Sequence, residues 1–440
     1  APAVADMSRN EKFLLLLILL AALFIRLPHI TDEFIRPHEA ENAIYGLAAR
    51  NHLRYGPVVT GLANCLSTGE SVPKAPDRYL NHPGTLSLLL AASFAFLGES
   101  PAYTRLVPLM FCLMGLVIFH AAVRRRYDAR TAFTALTAAA FAPSWIYFGK
   151  LATHPPFVVP FVLLLADRFG SAAVDEADPA RRHREAILLG FLSFAACSID
   201  FGGAFIVPAL LIAYGPGRRL IPVVLGAALA FSLFAAQGLW LGGPDAILSL
   251  FHKGVMRAGS DSTFGVLDFI RVQAIDRFAW SAFTPVGALV ATAGIFHAGR
   301  TVTERTRFLL AILLWGAGYI LAFSEAAMVH DYWQYFLIPS AALLFAIMLS
   351  HRSRFTAAVL LILFLDQSLR IVERRYYSDI GWYDREFAAI AWAREHGKVS
   401  DEIWTKDAMR TWHPAYYADR KFSHHPELTD SYSLPIGPPR

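Results

Sequence analysis

A succession of apolar segments runs through this chain, at about 12–28, 84–98, 103–122, 131–149, 155–167, 186–199, 201–214, 220–242, 279–298, 308–324, 334–350 and 355–372. No other feature restricts the fold so strongly. In hydrocarbon every backbone N–H and C=O must be satisfied within the segment, so such segments become helices. The linkers "RRRYDAR" (124–130), "ARRHREA" (180–186), "GRR" (217–219), "RTVTERTR" (300–307) and "HRSR" (351–354) are all basic. Basic linkers of this kind stay on the cytoplasmic side.

The order of linkers gives a parity. Arg9 and Lys12 precede "FLLLLILLAALFI", and no small-residue cleavage site follows before Arg26 and Pro28. This predicts an uncleaved first span with the N-terminus inside. Residues 29–83 then lie outside, and "RRRYDAR" must lie inside, so 84–122 crosses once. The 84–98 segment has 15 residues, about 22 Å as a helix against a core of about 30 Å. It is expected on the outer face as an interfacial helix. About eleven crossings result, with the C-terminus outside.

Composition agrees. Of the 440 residues 55% are hydrophobic and only 17% charged, where a soluble protein carries about a quarter. The net charge of +5 is accounted for by the basic linkers and gives no reason to invoke nucleic acid. Cys65, Cys112 and Cys197 form no metal-binding spacing, and the last two lie in apolar segments as packed thiols. The chain reads as an all-α polytopic membrane protein. Residues 1–372 form the transmembrane domain, with a first outer loop at 29–102, and 373–440 form a small extracytoplasmic α/β domain. In that tail Asp384 to His396 is expected as a helix that buries Phe387, Ile390 and Ala391, with Gly397 as its stop. "SDEIWT" and "AYYADRKF" are expected as short strands.

The polar residues that lipid disfavours fall in the outer segments. On the helix expected at 38–54, Glu39, Asn42, Gly46 and Arg50 share one face. His82 and Pro83 open the interfacial helix. Lys150 and His154 sit in a tight outer turn, and would share a face if that turn were helical. Asp200 marks another turn, and His330, Asp331, Tyr332 and Trp333 a third, Trp333 being read as an interfacial belt residue. Taken singly, each has a bland reading: a solvated face, a helix start, a snorkelling lysine, an aromatic belt. Together they bring acids, imidazoles and cations to one depth. Transfer from a lipid phosphate needs a carboxylate to take a proton and cations to hold phosphate.

"HEAENAIYGLAARNHLRYG", "NHPGTLSLLLAASFAFLGESPAYTRLVP" with Arg105-Leu106, and "HDYWQYFLIP" occur in this order. In this the chain resembles the GT-C glycosyltransferases of the protein O-mannosyltransferase and aminoarabinose-transferase type. The likeness covers residues 12–160 and, more weakly, 320–345. It implies a GT-C-like helical bundle and an inverting transfer of a sugar from a polyprenyl-phosphate donor to an acceptor protein, lipid or glycan. The work is done on the extracytoplasmic face, here of a bacterial inner membrane. It implies Glu39 as base, supported by His38 and Asp32, with His82, Arg105, Lys150, His154, His330 and Tyr332 toward the substrate; Arg105 reads equally as an anchor of the loop. His38 and His154 stand where the family usually has acids. Three readings of that departure stay open. Glu39 is the base, assisted by Asp32 or Glu33; a divalent metal is held by His38, Glu39 and His154; or catalysis is lost and a GT-C-fold subunit binds lipid or partners in a larger complex. A transporter is a weaker alternative, because the spans hold few central charges.

Overall fold

The computed structural model describes residues 7–171, 178–259, 264–298, 303–398, 402–406, 409, 411–428 and 430–434. Residues 300–302 of one basic linker and 400–401 of "SDEIWT" lie outside them. The chain is 76% helical, the class expected. It gathers into two compact units. One comprises Ala1–Pro28 with Pro108–Arg375, the other His29–Val107 with Tyr376–Arg440. The sequence reading placed the first loop with the spans and cut the chain at 372. In the structure the loop packs instead with the tail, through pairs about which local pattern says nothing.

Among the described residues five helices are long and apolar enough to cross a membrane: Pro101–Arg126, Leu220–Arg257, Glu304–Ala322, Asp331–Ser350 and Arg354–His396. Two bent pairs bring the number to seven if each is one span: Pro143–Lys150 with His154–Ser171, bent by 111°, and Val266–Phe283 with Pro285–Ala298, bent by 114°. By this measure the number is lower than the eleven of the parity argument because several apolar segments are broken. The 131–149 segment yields Ala129–Ala140 and then Pro143–Tyr147, divided where Ala142 turns extended before the proline. The 201–214 segment opens as a 3-10 turn and only Ile206–Tyr214 is α-helical. The expected interfacial segment forms Thr85–Leu97, which is still too short to span a bilayer.

Local chemistry sets the helix starts. Ser8 and Glu11 close a capping box on Arg9–Phe24, and Asp128 accepts from the Thr131 N–H ahead of Ala129–Ala140, in each case satisfying otherwise orphaned donors. In the first unit small residues let helices touch. A Cβ on Gly226 would lie 2.1 Å from the Gly190 carbonyl oxygen, so Pro179–Ile199 and Leu220–Arg257 meet backbone to backbone. The Ser193 hydroxyl donates to the Val223 carbonyl at 2.7 Å beside this contact, a packing mode suited to lipid. Asp167 is buried at the end of its helix between Arg125 and Arg126. Arg26, with no exposure, donates to the carbonyls of Ala22, Ala140 and Trp145, so the first helix is tied to the broken segment.

The second unit is built on Ala40–Tyr55. Its helix was expected to present a polar face, yet Ala40, Asn42–Ala49, Asn51, His52 and Tyr55 are all buried. The reason is the tail helix Trp412–Ala418, whose Ala415 and Tyr416 join Phe34, Ala43 and Leu47 in one apolar cluster. Gly46 is required there: a Cβ would stand 2.8 Å from the Tyr416 ring. Asp384–His396 forms as expected, but of the expected stripe only Ile390 is fully buried: Phe387 is half-buried and Ala391 exposed, and Ala389 and Ala393 turn inward instead. Of the two expected strands, Ile403–Thr405 forms. "AYYADRKF" instead divides between the helix Trp412–Ala418 and the strand Phe422–His424. The strand Ile403–Thr405 is central, parallel to Phe422–His424 and antiparallel to Tyr432–Ser433.

The same helix carries a buried imidazole. The two ring nitrogens of His52 lie 2.8 Å from the Thr60 hydroxyl and 3.0 Å from the Ser87 hydroxyl. Burial pushes its pKa down to about 4 from an ordinary 6.5. Between these values the unfolded chain binds a proton that the folded unit refuses, so this stability is complete above about pH 6.5 and is lost as pH falls toward about 4. The loss amounts to roughly 3 kcal/mol. Thermal denaturation from about pH 7 down to about pH 4 should show a falling midpoint, and His52→Gln should flatten that slope.

Candidate active site

In the second unit Arg105 organises the first loop. It stands in the first turns of Pro101–Arg126 with no exposure, and Glu39 is 1% exposed. Glu39 Oε1 accepts from Arg105 Nη2 at 2.6 Å and Nε at 3.2 Å, while Oε2 accepts from the Arg36 N–H at 2.9 Å. The remaining guanidinium donors serve the carbonyls of Ile30 at 3.0 Å, Asp32 at 2.5 Å and Glu33 at 3.2 Å. Of the two sequence readings of Arg105, phosphate ligand or loop anchor, this geometry is that of the anchor. Both Glu39 oxygens are engaged, which is a poor posture for a general base.

Asp32 is the more open acid. Its side chain is 35% exposed, and Oδ2 lies 2.9 Å from His29 Nδ1 and 3.0 Å from Arg36 Nη2. Burial raises its pKa, but the His29 hydrogen bond and the Arg36 charge outweigh this and hold the carboxyl below its ordinary 3.8. Both contacts fall on one oxygen, which leaves Oδ1 for a ligand. His29 and His38 both have left-handed backbones, at φ 64° and 60°. Such strain in a non-glycine residue costs about 1–3 kcal/mol and collects at functional sites. His82 ends the stretch before Thr85–Leu97; its carbonyl accepts from Asn64 at 3.2 Å and its ring stands 6.0 Å from Tyr79.

In the first unit the broken helix supplies a lysine and a histidine. Pro143–Lys150 ends in a 3-10 turn, Leu151 is extended, and a new helix opens at His154. Lys150 and His154 therefore do not share a helical face as the sequence spacing suggested. Lys150 is 1% exposed and its ammonium donates to the Pro28 carbonyl. It is the one buried lysine among the described residues. His154 offers a ring nitrogen within 4.8 Å of an Asp200 carboxylate oxygen. Asp200 follows Pro179–Ile199, is 2% exposed, and is oriented by the Gly202 N–H at 3.0 Å and the Tyr319 hydroxyl at 3.3 Å. The sequence had marked Asp200 only as a polar turn; its isolation between two apolar segments was the available signal, and its pairing with His154 was not legible.

The third outer turn of that reading is an aromatic cluster in the same unit. His330 stands 5.1 Å from Tyr332 and 5.8 Å from Trp333, and Asp331 pairs with Arg375 at 3.4 Å. Trp333 is buried 4.5 Å from Tyr319 rather than sitting in an outer belt. The aromatic run folds inward because Asp331–Leu337 is a 3-10 turn leading into Ile338–Ser350.

The architecture is that of the GT-C membrane glycosyltransferases, expected here from the motif order. Among solved structures the chain is similar to ArnT from Cupriavidus metallidurans bound to undecaprenyl phosphate, with TM-score 0.68 and 13% identity over 93% of this chain and 85% of that one. It is similar also to the Archaeoglobus fulgidus oligosaccharyltransferase in its apo form, with TM-score 0.65 and 12% identity over 94% of this chain, which spans 64% of that protein. The AglB oligosaccharyltransferase of the same organism, in complex with an inhibitory peptide and a dolichol-phosphate, matches with TM-score 0.57 and 13% identity, over 98% of this chain and 62% of that one. No family model matches the sequence. No curated protein matches it either. The likeness is one of fold, and the helices make this an integral membrane protein.

The geometry predicts different consequences for the two acids of the loop. Removing Glu39 leaves a buried guanidinium without its anion, a loss of about 3–5 kcal/mol. Glu39→Ala should therefore lower the thermal midpoint of the purified protein by several degrees or abolish folding. Asp32→Asn should leave the midpoint close to the parent. Equal midpoints for Glu39→Ala and parent would remove the ion pair as the organiser of the loop.

Proposed function

We propose that this protein transfers a sugar from a polyprenyl-phosphate donor to an acceptor hydroxyl on the extracytoplasmic face of a bacterial inner membrane, with its N-terminus cytoplasmic. The observation that carries this reading is Lys150, a buried ammonium at the break between two apolar helices. Ionisable groups inside a membrane protein are costly and mark substrate paths. The ArnT structure holds undecaprenyl phosphate and the AglB structure a dolichol-phosphate, and we carry that ligand class to this chain. Lys150 and His154 bind the donor phosphate, and His330 and Tyr332 contribute to the same half of the substrate path.

In the transfer an acceptor hydroxyl attacks the anomeric carbon. A new C–O bond forms, the bond from that carbon to the phosphate oxygen breaks, and the electron pair leaves with polyprenyl phosphate. The anomeric configuration inverts. The hydroxyl proton passes to a carboxylate. The loop geometry favours Asp32 for this role, with Glu39 and Arg105 holding the loop that presents it and His38 in the same loop. This moves the base from Glu39, the first reading of the sequence. A divalent metal fits His154 and Asp200, since imidazole and carboxylate within 4.8 Å suit zinc or manganese. Bound there, such an ion would add positive charge for the departing phosphate. Glu39 has both oxygens committed to Arg105 and Arg36, so the His38, Glu39 and His154 set is the weaker choice.

The test is a transfer assay with extracted polyprenyl-phosphate sugars, with and without chelator. Asp32→Asn should abolish transfer while donor binding persists; because the carboxyl lies below its ordinary 3.8, the acid limb of the parent's rate should fall below about pH 4. Lys150→Gln should weaken binding of undecaprenyl phosphate roughly tenfold or more, the loss of one charge-assisted bond. The rival is a GT-C-fold subunit without catalysis, and the locked Glu39 is the observation that favours it. Donor binding without transfer in the parent protein, across all extracted sugars, would establish that rival.

A further inference from the structure

In the second unit the loop that carries Asp32 adjoins residues that the transfer chemistry above does not use. The 3-10 turn Gly381–Tyr383 sends two adjacent aromatics in different directions. Tyr383 is buried; its hydroxyl accepts from the Ala40 N–H at 3.2 Å and its ring packs tilted against His413 at 4.0 Å. Trp382 stays 45% exposed. Its indole N–H donates to the Asp379 carboxylate and its ring stands 5.8 Å from His38. On the other side of the same loop Tyr377 packs edge-on to His29 at 4.9 Å, and the Tyr377 carbonyl accepts from Arg36 at 3.3 Å. So the two strained histidines that flank Asp32 each rest on an aromatic of the 377–382 segment.

A half-exposed indole with its N–H engaged is held in a fixed orientation. It offers an apolar face at little entropic cost, because few rotamers remain to be lost. Asp32 and His29, each about one third exposed, supply hydrogen-bonding groups beside Tyr377 of the same segment. Flat apolar area with a few placed polar groups is how a small polar ligand is recognised. A sugar ring has the matching character, with an apolar C–H face and a hydroxyl edge. The charges argue against phosphate here. Asp32, Glu33 and Asp379 are acids, and the nearby guanidinium of Arg36 is buried and paired with Asp32.

We propose that Trp382, His38, His29 and Asp32 form an acceptor subsite that binds a neutral or amino sugar ring against the indole face, which makes the acceptor a carbohydrate. This deepens the transferase reading and rests on it for the word acceptor; the binding itself does not. The experiment uses the full-length protein in nanodiscs without any lipid donor. Methyl glycosides of common hexoses, their 2-acetamido forms and their amino forms are the probes, read by saturation-transfer NMR.

At least one probe should receive saturation on its ring C–H protons. Trp382→Leu, which keeps apolar bulk but no flat face, should cut that signal roughly fivefold, and Trp382→Phe should retain most of it. Ile380→Ala, a neighbour that is 53% exposed, should leave it unchanged, and excess inorganic phosphate should not displace the probe. Absence of saturation on every probe, an undiminished signal in Trp382→Leu, or displacement by phosphate would each overturn the subsite. Because no donor is present, failure here is separable from failure of the transferase reading, which the donor-binding and transfer assays report.

Discussion

A guanidinium that serves backbone carbonyls is the interaction on which this structure most depends. A chain that leaves the helix in an apolar setting exposes C=O groups that water does not reach, and each left unserved is expensive. Arginine brings five N–H donors in a rigid fork. Arg105 takes three carbonyls of the first loop besides Glu39. Arg26 takes Ala140 and Trp145 on either side of the break in the 131–149 segment, and Ala22 on the first helix. Arg277 takes Ala327 and Met328 ahead of the aromatic turn, and Arg420 takes Ala393, Gly397 and Lys398 at the end of the tail helix. In each case the arginine stands where the backbone departs from regular structure. Irregular backbone is what lets side chains such as Lys150, His154 and Asp32 point away from a helix face.

This explains why the polar residues looked alike in the sequence and differ so much in the structure. Arginines at segment ends read as snorkelling or orientation signals, and many are. Pattern does not separate an Arg124 paired with Glu11 near the surface from an Arg105 with no exposure. The separation comes from what each guanidinium meets far along the chain. Arg105 meets residues about seventy positions away and Arg26 residues more than a hundred away.

The helices, the apolar character of the chain and the GT-C order of motifs were legible, because they rest on period and on local spacing. The Asp384–His396 helix was legible for the same reason. Hidden from the sequence was the assembly of the second unit. The Phe34 N–H donates to the Tyr417 hydroxyl oxygen at 2.9 Å, and its carbonyl lies 2.8 Å from His413 Nε2. These partners are nearly four hundred residues apart, and nothing in either stretch announces the other. The helical wheel of Ala40–Tyr55 misled for that reason: its polar face was read as facing water or a cavity, and tail side chains cover it. The turn between Lys150 and His154 was legible from the gap between the apolar segments 131–149 and 155–167, and the backbone adds that the two do not share a helical face.

The strain at His29 and His38 follows from the same organisation. A left-handed backbone at a histidine is unfavourable by itself, and one short loop holds two of them. The loop does not relax, because Arg105 ties the carbonyls of Ile30, Asp32 and Glu33 to a single rigid group and Glu39 closes the far end. With both ends fixed, the residues between have little freedom left, and the strain is offset by buried charge-assisted bonds that would all be lost together. The tail adds a second set of constraints through Tyr377, Tyr383 and Tyr417, whose contacts fall on His29, Ala40 and Phe34. Asp32 thus keeps one orientation although its own side chain makes few contacts and stands partly in solvent. An acid that must be both open to a ligand and fixed in direction cannot be held by its own packing. Here the neighbours on either side of it are held instead, by an arginine from the following helix and by aromatics from the other end of the chain.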